Sequence, residues 1–369
     1  MFIALLSCLQ EPPTDVTPEV VDDGSFSTPI AEDTGDDQEE GGGDDPGEDP
    51  KDSAEPQDTG EPGPTFETCF ADIDDGGTGP NYAQFGHTVG SHCYGTDHQD
   101  IAGVERVVFL GDSVTVGTPP TADAEFYRNV LADELASKYG LEAPDWSWEG
   151  VNLFEGTSYV VDSGDFAHCA EWGARTDDLM RDGAQVETCL PEEQRDKVTL
   201  VVMTVGGNDL NKLTQGFMEG KSHEELWALT HEYMQLMRET VEWIKAEGRF
   251  PNGAHVVFTN LYEFTDATGD VTSCPTAGLA GYGEAITDPA LEEMVLWSME
   301  EFMSIAVDTD SDMLFLLETF CGHGFNYDDP EGRCYRGAEA ELWFDLTCIH
   351  PNPVGHAKMA EMFMAVIDE

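Results

Sequence analysis

Val107-Val108-Phe109-Leu110-Gly111-Asp112-Ser113 runs a short apolar segment straight into a Gly-Asp-Ser turn. The Val- and Phe-containing run reads as a buried strand, and Gly111 lets the backbone turn sharply at its carboxyl end. A serine delivered at a strand end is placed to attack a ligand lying above a sheet. Gly-Asp-Ser is also a common turn tripeptide, so this segment by itself leaves both readings open.

Working outward, apolar runs at 200–205, 256–261 and 313–317 predict further strands, and 125–139, 224–246, 289–307 and 353–367 predict helices. In the second of these helices Leu226, Leu229, Tyr233, Met237, Thr240 and Ile244 recur at helical spacing, so that face is expected against a sheet. Strands alternating with helices predict a three-layer α/β/α sandwich with a mainly parallel central sheet. Ligands then bind beyond the carboxyl ends of the strands, which is where Ser113 and Asn208 fall.

Four segments in order resemble the blocks of the SGNH (GDSL-type) hydrolases. They are Gly111-Asp112-Ser113; Trp172-Gly173-Ala174-Arg175-Thr176; Gly206-Gly207-Asn208-Asp209; and Cys348-Ile349-His350-Pro351-Asn352. With the strand before the first and the helix that begins at Gly355-His356-Ala357 after the last, they span residues 106 to about 365, nearly all of the stretch expected to fold. The resemblance implies a flavodoxin-like fold and an ester hydrolase with Ser113 as nucleophile and His350 as its base. It also implies an oxyanion hole made by the N–H of Ser113, the N–H of Gly173 and the side-chain amide of Asn208. The chemistry needs each part: a serine hydroxyl requires a neighbouring base, and the charge that builds on the carbonyl oxygen requires donors already in place. Singly the residues admit plainer readings, with Gly173 as a turn glycine, Asn208 as a helix cap and His350 as a loop histidine beside Pro351.

The fourth block departs from the family. Most members place an aspartate three residues before the histidine, to orient the imidazole and stabilise the cation formed on it. Here that position is Thr347. Two orienters are therefore expected as alternatives: the main-chain carbonyl of Thr347, which leaves a Ser113–His350 dyad, and the carboxylate of Asp345.

The rest of the chain suggests where such a protein works. Phe2-Ile3-Ala4-Leu5-Leu6-Ser7-Cys8 resembles the end of a bacterial lipoprotein signal, with Cys8 as the lipidated residue. No Lys or Arg precedes the apolar run, and a start lying upstream would account for that. Residues 9–65 read as an acidic Gly/Pro-rich tether, too poor in apolar side chains to offset ordering entropy, and 66–369 as the hydrolase domain. Of 75 acidic and 16 basic residues, the segment 11–65 holds 19 and one, so the remainder still carries a formal charge of −41. Such a surface repels nucleic acid and anionic lipid, so neither is expected as a partner, and it suits a salty medium.

With Cys8 set aside, the even set Cys69, Cys93, Cys169, Cys189, Cys274, Cys321, Cys334 and Cys348 suggests disulfides in an oxidising compartment. Local closures are expected for Cys69 with Cys93, Cys169 with Cys189 and Cys321 with Cys334. A bridge at Cys348 would pin the loop that carries His350. The absence of a Cys-x-x-Cys pair argues against zinc, and no metal or cofactor is expected. The expected protein is an exported, monomeric serine esterase, a cell-surface or outer-membrane lipoprotein held to the membrane only through an N-terminal lipid, or otherwise periplasmic or secreted. Its substrate would be a small-molecule, lipid or polysaccharide ester, with residues 145–168 and 265–288 shaping the pocket. The alternative is a catalytically impaired surface lipoprotein that binds glycans or a partner on the same scaffold.

Overall fold

A computed structural model describes residues 96–181, 184–280 and 285–369. The expectations for Cys8, the tether and the pairing of Cys69 with Cys93 lie outside the described residues. The strands in chain order are β1 (Arg106–Gly111), β2 (Val151–Asn152), β3 (Thr157–Ser158), β4 (Asp162–Ser163), β5 (Phe166–His168), β6 (Thr199–Thr204), β7 (Ala254–Thr259) and β8 (Asp312–Leu314). Strands β2 and β3 form a small hairpin, and the other six make one sheet in the order β4-β5-β1-β6-β7-β8. All neighbours in it pair parallel except β4, an antiparallel edge. The five parallel strands, ranked along the chain, lie in the order 2-1-3-4-5, the flavodoxin-like arrangement that the resemblance implied.

Side-chain alternation along β1 explains the three layers, because successive residues of a strand face opposite ways. Val107 and Phe109 join Leu131 and Leu135 of the helix Tyr127–Tyr139 and Phe363 of the helix Pro353–Ile367. Val108 and Leu110 join Met237 and Val241 of the helix His223–Lys245 and Phe302 of the helix Pro289–Asp308. In His223–Lys245, Leu226, Tyr233, Met237, Thr240 and Ile244 are buried as the spacing requires, while Leu229 is half-buried.

Several elements differ from the sequence expectation, among them the helix Gly207–Met218, which it did not include. Strand β8 stops at Leu314, and the helix Leu316–Phe320 replaces its expected end. The cause lies on the neighbouring strand's exit: Asn260 Oδ1 accepts the N–H groups of Leu316 at 2.6 Å and Leu317 at 3.2 Å, which starts a helical turn. Strand β7 ends at Thr259 rather than 261. Finally, part of 145–168 supplies β4, β5 and the β2–β3 hairpin instead of a pocket wall.

Candidate active site

Strand β1 delivers Ser113 through a turn that only glycine can make. Gly111 has φ +135°, and a Cβ there would sit 2.0 Å from the Thr204 carbonyl oxygen of β6. Its N–H donates to Gln185 Oε1 at 2.8 Å and its carbonyl accepts Gln185 Nε2 at 2.9 Å, so one amide clamps both sides of the peptide. Asp112 then caps a short helix, Ser113–Val116, by accepting the Val114 N–H at 2.9 Å. Ser113 is the first residue of that helix, where N–H groups have no intrahelical acceptor. Beneath the turn Thr115 Oγ1 meets Tyr127 Oη at 2.6 Å and Thr204 Oγ1 at 2.5 Å, all of them buried.

Opposite Ser113 stands His350, with its Nε2 2.8 Å from the serine oxygen across 237 residues of chain. Both side chains are buried. Burial pushes the imidazole down to about 4, which keeps it neutral and able to accept a proton at neutral pH.

The loop behind His350 corrects both expected orienters. His350 Nδ1 lies 2.8 Å from the hydroxyl of Thr347, not against its carbonyl. Asp345 does not hydrogen-bond the ring either: its Oδ1 accepts the Thr347 hydroxyl at 2.5 Å and the Thr347 N–H at 2.7 Å. The sequence pattern points to both residues but not to the side-chain contact that joins them. Loop closure produces it: Asp345 N–H donates to the His350 carbonyl at 2.9 Å, and Phe344 bridges Pro351. This short loop therefore brings residues 345, 347 and 350 to one side.

Long-range ties hold that loop in place. Cys348, at φ +74°, is bonded to Cys274, and Tyr262 Oη donates to the Ile349 carbonyl at 2.9 Å. Thr276 Oγ1 bonds the Leu346 carbonyl. The Cys274–Cys348 pairing is not among the expected local closures, whereas Cys169–Cys189 and Cys321–Cys334 join as local spacing suggests.

Asp209 fixes the second and third blocks to each other. Its carboxylate accepts the N–H of Thr176 at 3.1 Å and the Thr176 hydroxyl at 3.0 Å. Asn208 Nδ2 donates to the Ala174 carbonyl at 2.9 Å. Gly173 has φ +82° and open space where a Cβ would lie. Burial pushes the carboxyls of Asp112 and Asp209 up to about 7 each, and each accepts backbone N–H donors that oppose the shift.

A cleft of about 400 Å³ opens beside Ser113 and His350. Its walls include Leu210 and Leu213 from the helix Gly207–Met218, Leu261, Val271, and Leu291 and Val295 from Pro289–Asp308. Residues 265–288 contribute to it as expected, but residues 145–168 do not. Among the described residues no group of three or more His, Cys, Asp or Glu is arranged to hold a metal ion. No described helix is long and apolar enough to cross a membrane.

Comparison with known proteins gives one family: the model described as GDSL-like Lipase/Acylhydrolase matches residues 107–363, more than half of the chain. A search of curated proteins finds no match. Among solved structures, the chain is similar to the lipase Lip_vut3 from a goat rumen metagenome at 14% identity, covering 71% of this chain and 97% of that one, with a TM-score of 0.42. It is similar to the acetyl xylan esterase AlAXEase at 14% identity, covering 71% and 99%, with a TM-score of 0.39. A two-domain esterase, CEX, active on acetylated mannans matches at 13% identity, covering 73% and 50%, with a TM-score of 0.37.

Proposed function

Given that the chain belongs to the GDSL-like lipase/acylhydrolase family and is a carboxylic ester hydrolase, we propose that it works through an acyl-serine intermediate on Ser113. The observation that carries this reading is the 2.8 Å contact between Ser113 Oγ and His350 Nε2, on the wall of an apolar cleft. Ser113 Oγ attacks the ester carbonyl while His350 Nε2 takes its proton. The negative oxygen is held by the Ser113 N–H, the Gly173 N–H and the Asn208 side-chain amide. His350 passes its proton to the leaving alcohol, and water, activated by the same nitrogen, releases the acid and restores the serine.

The cleft also bears on the substrate. Its volume and its leucine and valine walls suit an apolar acyl group longer than acetyl. The three disulfides among the described residues support work in an oxidising compartment, and export with lipidation at Cys8 is the localisation proposed.

A p-nitrophenyl ester series from acetate to decanoate tests both parts. The expected outcome is hydrolysis whose kcat/KM rises beyond acetate, with Ser113→Ala lowering kcat by about 10⁴-fold or more. Activity that survives Ser113→Ala overturns the mechanism, and a preference for acetate overturns the assignment of the cleft.

A further inference from the structure

We propose that Thr347 is a positioning residue that transmits the charge of Asp345 to His350 through its hydroxyl, giving a four-member chain Ser113–His350–Thr347–Asp345. The inference rests on the serine-hydrolase reading and adds what orients its base. Three contacts carry it: Ser113 Oγ to His350 Nε2 at 2.8 Å, His350 Nδ1 to Thr347 Oγ1 at 2.8 Å, and Thr347 Oγ1 to Asp345 Oδ1 at 2.5 Å.

Counting protons fixes the direction of every bond. To accept from Ser113, Nε2 must be bare, so Nδ1 carries the single ring proton and donates it. The hydroxyl that receives it keeps one proton of its own, and Asp345 Oδ1, an acceptor when ionised, takes that proton. Turning the hydroxyl round, so that it donates to Nδ1, would move the ring proton to Nε2 and remove the base. The carboxylate therefore selects the tautomer of a ring it does not touch. When Ser113 gives up its proton, the imidazolium formed is stabilised through the same polarised hydroxyl.

The surroundings point the same way. Asp345 is buried, and its second oxygen has no hydrogen-bond partner among the described residues. A carboxylate kept half-satisfied inside the fold is costly unless its charge is used. The loop is also held by bonds that do not involve the threonine side chain: Asp345 N–H to the His350 carbonyl, the Phe344–Pro351 bridge, Cys274–Cys348, and Tyr262 to the Ile349 carbonyl. Changing the Thr347 side chain should therefore leave the backbone of the loop in place.

Ionisation gives the test a signature that a structural role would not move. Burial pushes Asp345 up to about 6, above the imidazole at about 4. Activity should then fall as pH drops through about 6, because a protonated Asp345 no longer sets the tautomer. The other titratable groups facing this pair are Asp112 on the nucleophile turn, pushed to about 7, His356 on the C-terminal helix, pushed to about 3, and Tyr262 after β7, raised well above its usual range. They persist in every variant, so the difference between profiles isolates Asp345.

The experiment measures kcat, KM and kcat/KM for p-nitrophenyl butyrate between pH 4 and 9 on the full chain, with circular dichroism melting to confirm folding. The variants are Thr347→Val, Thr347→Ser, Asp345→Asn and Ser113→Ala. Thr347→Val is expected to lower kcat by about 10²-fold or more, within the ~10⁴-fold loss seen when a base is left in the wrong tautomer, with KM little changed. Thr347→Ser is expected to restore most of kcat, and Asp345→Asn to lower it and abolish the limb near pH 6. The relay is overturned if Thr347→Val matches wild type, if Thr347→Ser is as impaired as Thr347→Val, or if Asp345→Asn keeps the limb near 6. Wild-type activity that survives Ser113→Ala would instead overturn the reading on which the relay rests.

Discussion

The serine half of the site is built by backbone at the carboxyl ends of β1 and β6, whereas the histidine half hangs on a loop closed by side chains and one disulfide. Gly111 lies against the Thr204 carbonyl and is clamped by Gln185, so Ser113 moves only if the sheet moves. His350 sits among contacts from Thr347, Tyr262 and Cys274, which come from scattered parts of the chain. A sheet edge positions a nucleophile with little added ordering, since paired strands are already fixed. A base on a loop has to be ordered by added cross-links.

The comparison breaks most sharply at the oxyanion side. Asn208→Ala is expected to lower kcat by about 10²–10³-fold while leaving KM nearly unchanged, as judged by steady-state kinetics, and to cost about 1 kcal/mol of stability by calorimetry, because Asn208 Nδ2 also donates to the Ala174 carbonyl. A comparable rise in KM would show that the amide binds the ground state instead. Replacing Cys274 and Cys348 by alanine attacks the other half. Stability is expected to fall by about 2–4 kcal/mol, and hydrogen exchange should quicken in residues 345–351 while residues 107–110 stay protected. Equal loss of protection in both segments would mean that the two halves are not held separately.

The smallest effect comes from the buried carboxyls. Asp112, Asp209 and Glu318 are each pushed up to about 7 by burial. The native chain thus holds protons that the unfolded chain releases near pH 4. That contribution to stability is complete below the unfolded value and is lost as pH rises towards 7. The buried imidazoles of His323, His350 and His356, held down to about 4, 4 and 3, act in the opposite sense below about pH 6.5, so the share of Asp209 is read by difference. Asp209→Asn should lower the melting temperature at pH 5 relative to that at pH 8, compared with wild type, by at least about 2–4 °C, and an unchanged difference between the two pH values would exclude Asp209 as a contributor.

Legibility in the sequence divides along the same line. Ser113, Gly173, Asn208 and His350 stand in short local patterns, and local pattern suffices where a strand end sets the geometry. Thr347 and Asp345 are legible as residues but not as atoms, because which oxygen faces the imidazole depends on how residues 344–351 close. Gln185 and Tyr127 leave no signal, since their partners at Gly111 and Thr115 lie 74 and 12 residues away. Strand β5 is hidden by its length, only three residues, in a stretch that reads as an insertion. Helix ends are plainer than strand ends: Pro353–Ile367 begins at a proline behind an Asn cap, a start the residues themselves announce.

The Cys274–Cys348 bond also sets rules for redesign. It ties residues 265–288, which wall the cleft, to the loop that presents the base. Grafting a foreign segment over the whole of 265–288 to change the accepted acid would release the proton carrier along with the wall. A graft that keeps Cys274 and Thr276 and exchanges only the residues beyond Thr276 leaves both anchors in place. In this scaffold the boundary between what can be swapped and what cannot falls inside one loop.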